Sequence, residues 1–238
     1  MRHPILSPMQ WPVVHGGMAP LDIRIMDMIP PFQNVWHTAH WELENLALFN
    51  QAAYSDVLRR REALKERSKE IRSWVEPQDE DEVELFQIMW SRASDGVISG
   101  EMEVEAISRY ADEVTTVAAW AFAEKNLNRG LTELRALLAL PAAGSHRWPD
   151  IQAGFQACGV DLPALDSFPD ADECRRVNNA IKHSGLVGQS LAQSAFFAPH
   201  AGEEISSLEL PTQRYYFGIA DFIGAMFERC SEIARNLP

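Results

Sequence analysis

Residues 36–76 read WHTAHWELENLALFNQAAYSDVLRRREALKERSKEIRSWVE, with no glycine or proline. Within them Leu46, Phe49, Ala53, Val57, Leu64, Ile71 and Trp74 recur at spacings of three, four or seven. That is the repeat of one helix face, and good helix formers fill the gaps. The stretch predicts one long helix that ends before Pro77.

Working outward, the same period continues. The acidic run Asp79 to Glu84 opens a second predicted helix through about Ala93, since anions suit the positive end of a helix dipole. Asp95-Gly96 and Ser99-Gly100 predict a turn. A third helix is expected over 101–126, a fourth over 131–140 stopping at Pro141, and a short one over 148–158 closed by Gly159. After a loop at 161–169, Pro169 starts a helix that ends near Ser184, with Gly185 as its stop. A last helix is expected over 211–235. Strand signals are nearly absent, so the sequence predicts an all-α bundle with a long antiparallel helix pair. Six of the 14 prolines lie in residues 1–35. This segment reads as an irregular Pro-rich arm packed on its own body or on a second subunit, with a short strand near Leu21 to Ile25. Residues 36–238 read as a single helical domain.

Composition narrows the function classes. Hydrophobic residues at 46% and charged residues at 23% fit a folded globular chain rather than a disordered one. A net charge of −13 argues against a bulk nucleic-acid coat, although a local basic site on an acidic body stays compatible. No apolar stretch approaches the roughly 18 residues of a transmembrane helix, and prolines interrupt the first 20 residues, unlike a signal peptide. Cys158, Cys174 and Cys230 are few, odd in number and far apart, which fits free thiols in a reducing compartment. The expectation is a soluble cytoplasmic protein with no membrane partner.

The stretch richest in chemistry is Arg175-Arg176-Val177-Asn178-Asn179-Ala180-Ile181-Lys182-His183-Ser184-Gly185. On a helix, Arg176 and His183 fall roughly 20° apart, two turns from each other on one face. Asp172 and Asn179 flank that face, while Cys174, Val177 and Ile181 form the apolar stripe opposite. A fixed guanidinium can hold a phosphate and stabilise its developing charge, and an imidazole can move a proton near neutral pH. Those two roles suffice to cleave RNA through its own 2′-hydroxyl without a metal. The plainer reading is a polar helix face with His183 favourably placed at a helix C-terminus.

Arg176-x6-His183 within Arg-Val-Asn-Asn-Ala-Ile-Lys-His-Ser-Gly resembles the signature of HEPN-type helical domains, an Arg followed after four to six residues by His. Trp148-Pro149-Asp150-Ile151 before Phe155, and the Gly159-Val160-Asp161-Leu162 turn, add to the likeness, which covers about 148–190. The resemblance implies an all-α bundle and a homodimer that brings two motif helices together. It also implies, as in active members, a metal-independent endoribonuclease of toxin or defence type, with Arg176 and His183 catalytic, no cofactor, and a regulatory or antitoxin partner. Asp172, Asn178 and Asn179 would support the polar face. Val177 stands where many active members carry a polar residue directly after the Arg. Other members of the family only bind nucleotides, RNA or proteins, which is the alternative function.

Three further groups carry weaker signals. Seven of the 21 cations lie in residues 59–72, against Glu62, Glu66 and Glu70, a local charge of +4. Arg59, Arg60 and Lys65, together with Lys182, are candidate RNA-backbone contacts. The plainer reading is a solvated face with Glu62–Lys65 and Glu66–Lys69 pairs, since aromatic residues for base stacking are missing. His37, His40 and Glu44 share a helix face in a spacing compatible with a metal, but no second such unit supports them and no metal site is expected. The run Glu76, Asp79 to Glu82 and Glu84 lacks the glycine and alternation of a calcium loop and reads as a solvated helix start.

Overall fold

Two prolines set the start of the first helix, α1 (Pro30–Arg72), because their fixed φ suits a first turn that needs no N–H donor. The Ile29 carbonyl accepts from Phe32 N and Gln33 N, both at 3.0 Å, and Ser231 Oγ accepts from Ile29 N at 3.3 Å. The computed structural model describes residues 28–142 and 147–237, apart from the side chains of Glu80 and Asp81. The suggested strand at Leu21 to Ile25 lies outside the described residues. The helix claims residues 30–35, which the sequence reading gives to the irregular arm: the Pro30-Pro31 pair initiates helix rather than breaking it. The rest of that segment lies outside the described residues. At the other end α1 stops at Arg72, with Ser73 as its cap, and not at Pro77.

The chain returns through α2 (Glu80–Leu137), one continuous helix where the sequence predicts three. Packing explains the correction. Val97, Val104 and Ala111 are buried at seven-residue spacing along a seam against α1, whose own buried positions include Leu43, Ala47, Asn50, Val57 and Ile71. Such a seam holds a helix through residues of poor propensity. Of the two glycines read as a turn, Gly100 serves close approach, since a Cβ there would meet Leu64 Cδ2 at 2.6 Å, while one at Gly96 meets nothing within 4 Å. Further on, a Cβ at Gly130 would meet Met226 Sδ at 2.9 Å. The register is antiparallel. Lys125 Nζ reaches Glu42 Oε1 at 2.6 Å, Asn50 Nδ2 donates to Thr115 Oγ1 at 2.7 Å, Tyr54 Oη donates to Asp112, and Arg60 Nη1 lies 3.6 Å from Glu103 Oε1. Phe49, expected on the apolar face of α1, is exposed.

The short helices α3 (Trp148–Ala157) and α4 (Phe168–His183) and the long α5 (Thr212–Arg235) gather on the proximal half of this pair. α5 is the central rod. Its Tyr215, Ile219, Phe222, Ile223, Met226, Phe227 and Cys230 are buried, together with Phe32, Trp36 and Leu43 of α1, Trp120, Leu127 and Leu131 of α2, and Cys174 and Val177 of α4. Trp120, Trp148, Phe168 and Phe222 form a chain of ring contacts across the bundle, each step 5.4–6.3 Å between centroids. Among the described residues there is no strand, and only one isolated bridge, Leu186 with Glu204. No helix of the described residues is long and apolar enough to cross a membrane.

Candidate functional site

α4 is built as the sequence predicts. Pro169 lies in its first turn, Asp170 sits near the positive end of the dipole, and Lys182 and His183 occupy the last turn. Gly185, at φ +66°, closes the helix by donating to the Ala180 carbonyl at 2.8 Å, the left-handed stop that glycine adopts without strain.

Its inner face is apolar at Ala171, Cys174 and Val177, all buried. Cys174 Sγ donates to the Thr116 carbonyl of α2 at 3.6 Å. Burial pushes its thiol well up, so it is a packed side chain and not a thiolate nucleophile.

The outer face brings four groups together. Asp172 Oδ1 accepts from Arg175 Nε at 2.9 Å and Nη2 at 2.7 Å, while Asp172 Oδ2 lies 3.1 Å from Arg176 Nε. Arg176 Nη1 then donates to the Ser190 carbonyl at 2.5 Å. The two arginines therefore part company: the Arg175 guanidinium lies 5.3 Å from the centre of the Trp148 ring, and Arg176 spans from α4 to the connection after it. Each arginine side chain is about one-fifth exposed, 20%, so these contacts hold a guanidinium in a fixed orientation rather than leaving it on a free surface stem.

His183 is exposed, as are Asn179 and Lys182. Arg176 reaches back one turn to Asp172, whereas His183 lies two turns on, roughly 10 Å along the axis. Within one chain the two groups therefore share a face but do not meet. Asn178 lies inward, buried, with Nδ2 donating to Asn179 Oδ1 at 3.3 Å.

The basic run sits on the part of α1 distal to α4 and is largely compensated within its own helix. Asp56 takes Arg59 and Arg60 at 2.5 and 2.7 Å, Glu62 takes Lys65 at 3.4 Å, Glu66 takes Lys69 at 2.5 Å, and Glu70 takes Arg67 at 2.6 Å. His40 Nε2 lies 3.3 Å from Glu44 Oε1, and His37 is exposed. Among the described residues no group of three His, Cys, Asp or Glu is placed to hold a metal ion.

Two buried acids escaped the sequence reading. Glu173 is 4% exposed and accepts from Tyr215 Oη at 2.9 Å and from Arg214 Nη2, locking α4 to the first turn of α5. A carboxylate beside Cys174 on the apolar stripe was the available signal. Asp112 is 2% exposed; burial, with a smaller push from Glu209, raises its carboxyl to about 6 despite the hydrogen bond that Tyr54 donates. Burial and the Asp112 charge in turn hold the Tyr54 phenol firmly protonated.

No protein-family model, no curated protein and no solved structure matches this chain.

Proposed function

We propose that this chain is a HEPN-type endoribonuclease that works without a metal at a cleft between two copies. The observation that supports the reading is the fixed Arg176 guanidinium, held by Asp172 and the Ser190 carbonyl on the same outer face of α4 that ends in the exposed His183. Arg176 binds the non-bridging oxygens of the scissile phosphate and stabilises the charge that grows on them. His183 takes the 2′-hydroxyl proton as the 2′-oxygen attacks phosphorus, and a proton is returned to the departing 5′-oxygen. The 2′-O–P bond forms, the P–O5′ bond breaks, and the products are a 2′,3′-cyclic phosphate and a 5′-hydroxyl.

Because the two side chains of one copy lie roughly 10 Å apart along α4, the reading requires His183 of one copy to face Arg176 of another. Lys182, next to His183, supplies backbone attraction; Arg59, Arg60 and Lys65 contribute less, since each already has an acidic partner on α1. A regulatory or antitoxin protein partner belongs to the same proposal. The test is a matched pair of substrates: the wild-type protein cuts an RNA and leaves the fully 2′-O-methylated strand intact. Equal cutting of both, or of neither, overturns the mechanism.

A second reading has its own observation. Asp172 neutralises Arg175 and Arg176 together, which suits a non-catalytic module that binds a nucleotide, an RNA or a protein. It predicts binding that weakens in Arg176→Ala and no cut strand.

A further inference from the structure

The α1–α2 pair extends past the bundle as a two-helix arm, and its end is unfinished. Leu64 lies against Gly100, so counting outward places Arg72, the last residue of α1, level with about residue 92. The first dozen residues of α2 therefore project beyond α1, roughly 18 Å of helix. The connection after α1 runs beside them: Trp74, Glu76, Phe86, Gln87 and Trp90 line a groove of about 430 Å³, and Gln87 Nε2 donates to Glu76 Oε1 at 3.3 Å. On the other side of Trp90 a second groove, about 230 Å³, is lined by residues that include Ile71, Arg72, Val97 and Ile98.

This end carries far more apolar surface than a solvated tip needs. Val75 is 85% exposed, Leu85 61%, Met89 53% and Trp90 46%, and Ile88 is exposed as well. A helix tip that leaves Leu85, Ile88, Met89 and Trp90 in solvent, with one thin neighbour, is missing a partner. The charges around it say which. Residues 76–84 carry six acids and no cation, while residues 59–72 carry +4. The two blocks are adjacent along the arm and opposite in sign.

We propose that the arm end is a self-association surface, on which a second copy of this chain packs antiparallel about a two-fold axis near Ile88 and Met89. With the axis there, residues 79–84 of one copy lie level with about residues 66–72 of the other, the outer end of the basic run, where Arg67, Lys69 and Arg72 stand with Glu66 and Glu70. The acidic block meets these three cations twice, once on each side, as an isologous interface demands. Trp90 and Met89 of the two copies fill each other's grooves, and the arms become a short four-helix bundle. The same acidic block sets the tip against an anionic membrane or nucleic acid. This pairing uses a surface remote from α4 and does not depend on the proposed activity.

The experiment is sedimentation velocity on the full chain together with a cross-link. Leu85→Glu with Met89→Glu, at positions already exposed, is expected to lower the assembly mass to that of whatever association α4 makes alone, a monomer if it makes none. Lys69→Glu with Arg72→Glu weakens the pair at least tenfold. Adding Glu82→Lys and Glu84→Lys to that variant restores it. The Met89→Cys variant cross-links to its own symmetry mate under mild oxidation, against native cysteines that are all buried. A wild-type mass that the Glu pair leaves unchanged, a failure of the charge swap to restore association, or no cross-link in the Met89→Cys variant overturns the proposal. So does binding of wild-type protein to anionic lipid vesicles while it stays monomeric.

Discussion

Arg176 donates to the Ser190 carbonyl at 2.5 Å, fastening the middle of α4 to the connection that follows it. Asp172 holds the same guanidinium from the other end. Substituting Asp172→Asn removes the charge that both arginines share. Unfolding in urea is expected to show a loss of about 1–2 kcal/mol, the range for hydrogen bonds to a charged group, discounted for partial exposure. The proposed activity falls with it, because Arg176 loses its fixed orientation.

Asp112 sets a pH dependence of stability. Its carboxyl is raised to about 6 in the folded chain from an ordinary value of 3.8, so the folded state binds the proton more tightly than the unfolded one. The stability this proton provides is fully present below about pH 4 and is lost as pH rises through about 6. Asp112→Asn keeps an acceptor for Tyr54 and needs no proton. The variant is expected to be more stable than wild type at pH 7, by on the order of 2 kcal/mol, with the difference vanishing near pH 4. Thermal unfolding of both proteins from pH 4 to 7.5 checks this, and a constant difference contradicts it.

Glycines on the helices separate into two kinds. A Cβ at Gly96 meets nothing within 4 Å, whereas one at Gly218 meets Asp170 Cβ at 2.5 Å, an atom that cannot swing aside without moving α4. Gly96→Ala is therefore expected to stabilise by about 0.5–1 kcal/mol through helix propensity. Gly218→Ala is expected to destabilise by about 1–3 kcal/mol through overpacking of α4 on α5. Chemical denaturation midpoints of the two variants must move in opposite directions.

Glu173 is the buried anchor between α4 and α5. Glu173→Ala leaves Tyr215 Oη, also buried, without its acceptor and frees Arg214 from its main partner. A loss of about 2–4 kcal/mol is expected, short of a fully buried pair because Arg214 is partly exposed. Glu173→Gln, which keeps an acceptor, is expected to lose less; an equal loss contradicts this account.

The all-α class, the long α1 and the bounds of α4 and α5 were legible because apolar period, proline starts and Gly185 all report local preference. The continuity of α2 was not. Gly96, Gly100 and Gly130 each look like breaks in isolation, and only Leu64 and Met226 packing against two of them, with the Val97–Val104–Ala111 seam, shows a helix passing through. In the candidate site, the outward face of Asp172, Arg176, Asn179 and His183 followed from helix rotation. Asn178, four residues after Cys174, shares the buried stripe by the same rotation, so its inward turn was legible although it reads as part of the polar face. The Ser190 contact was not, since it depends on how the connection after α4 folds back. Glu173 was missed because its partners Arg214 and Tyr215 lie about forty residues on.

The proposed function rests on Arg176 and His183 cutting RNA. The most direct measurement is cleavage of end-labelled structured RNA by purified protein in EDTA, wild type beside a folded His183→Ala variant. The account predicts chelator-resistant cutting by wild type that falls at least a hundredfold in the variant, the usual scale for loss of an acid–base group. Cutting that the variant retains, or no cutting above buffer by either protein, contradicts it.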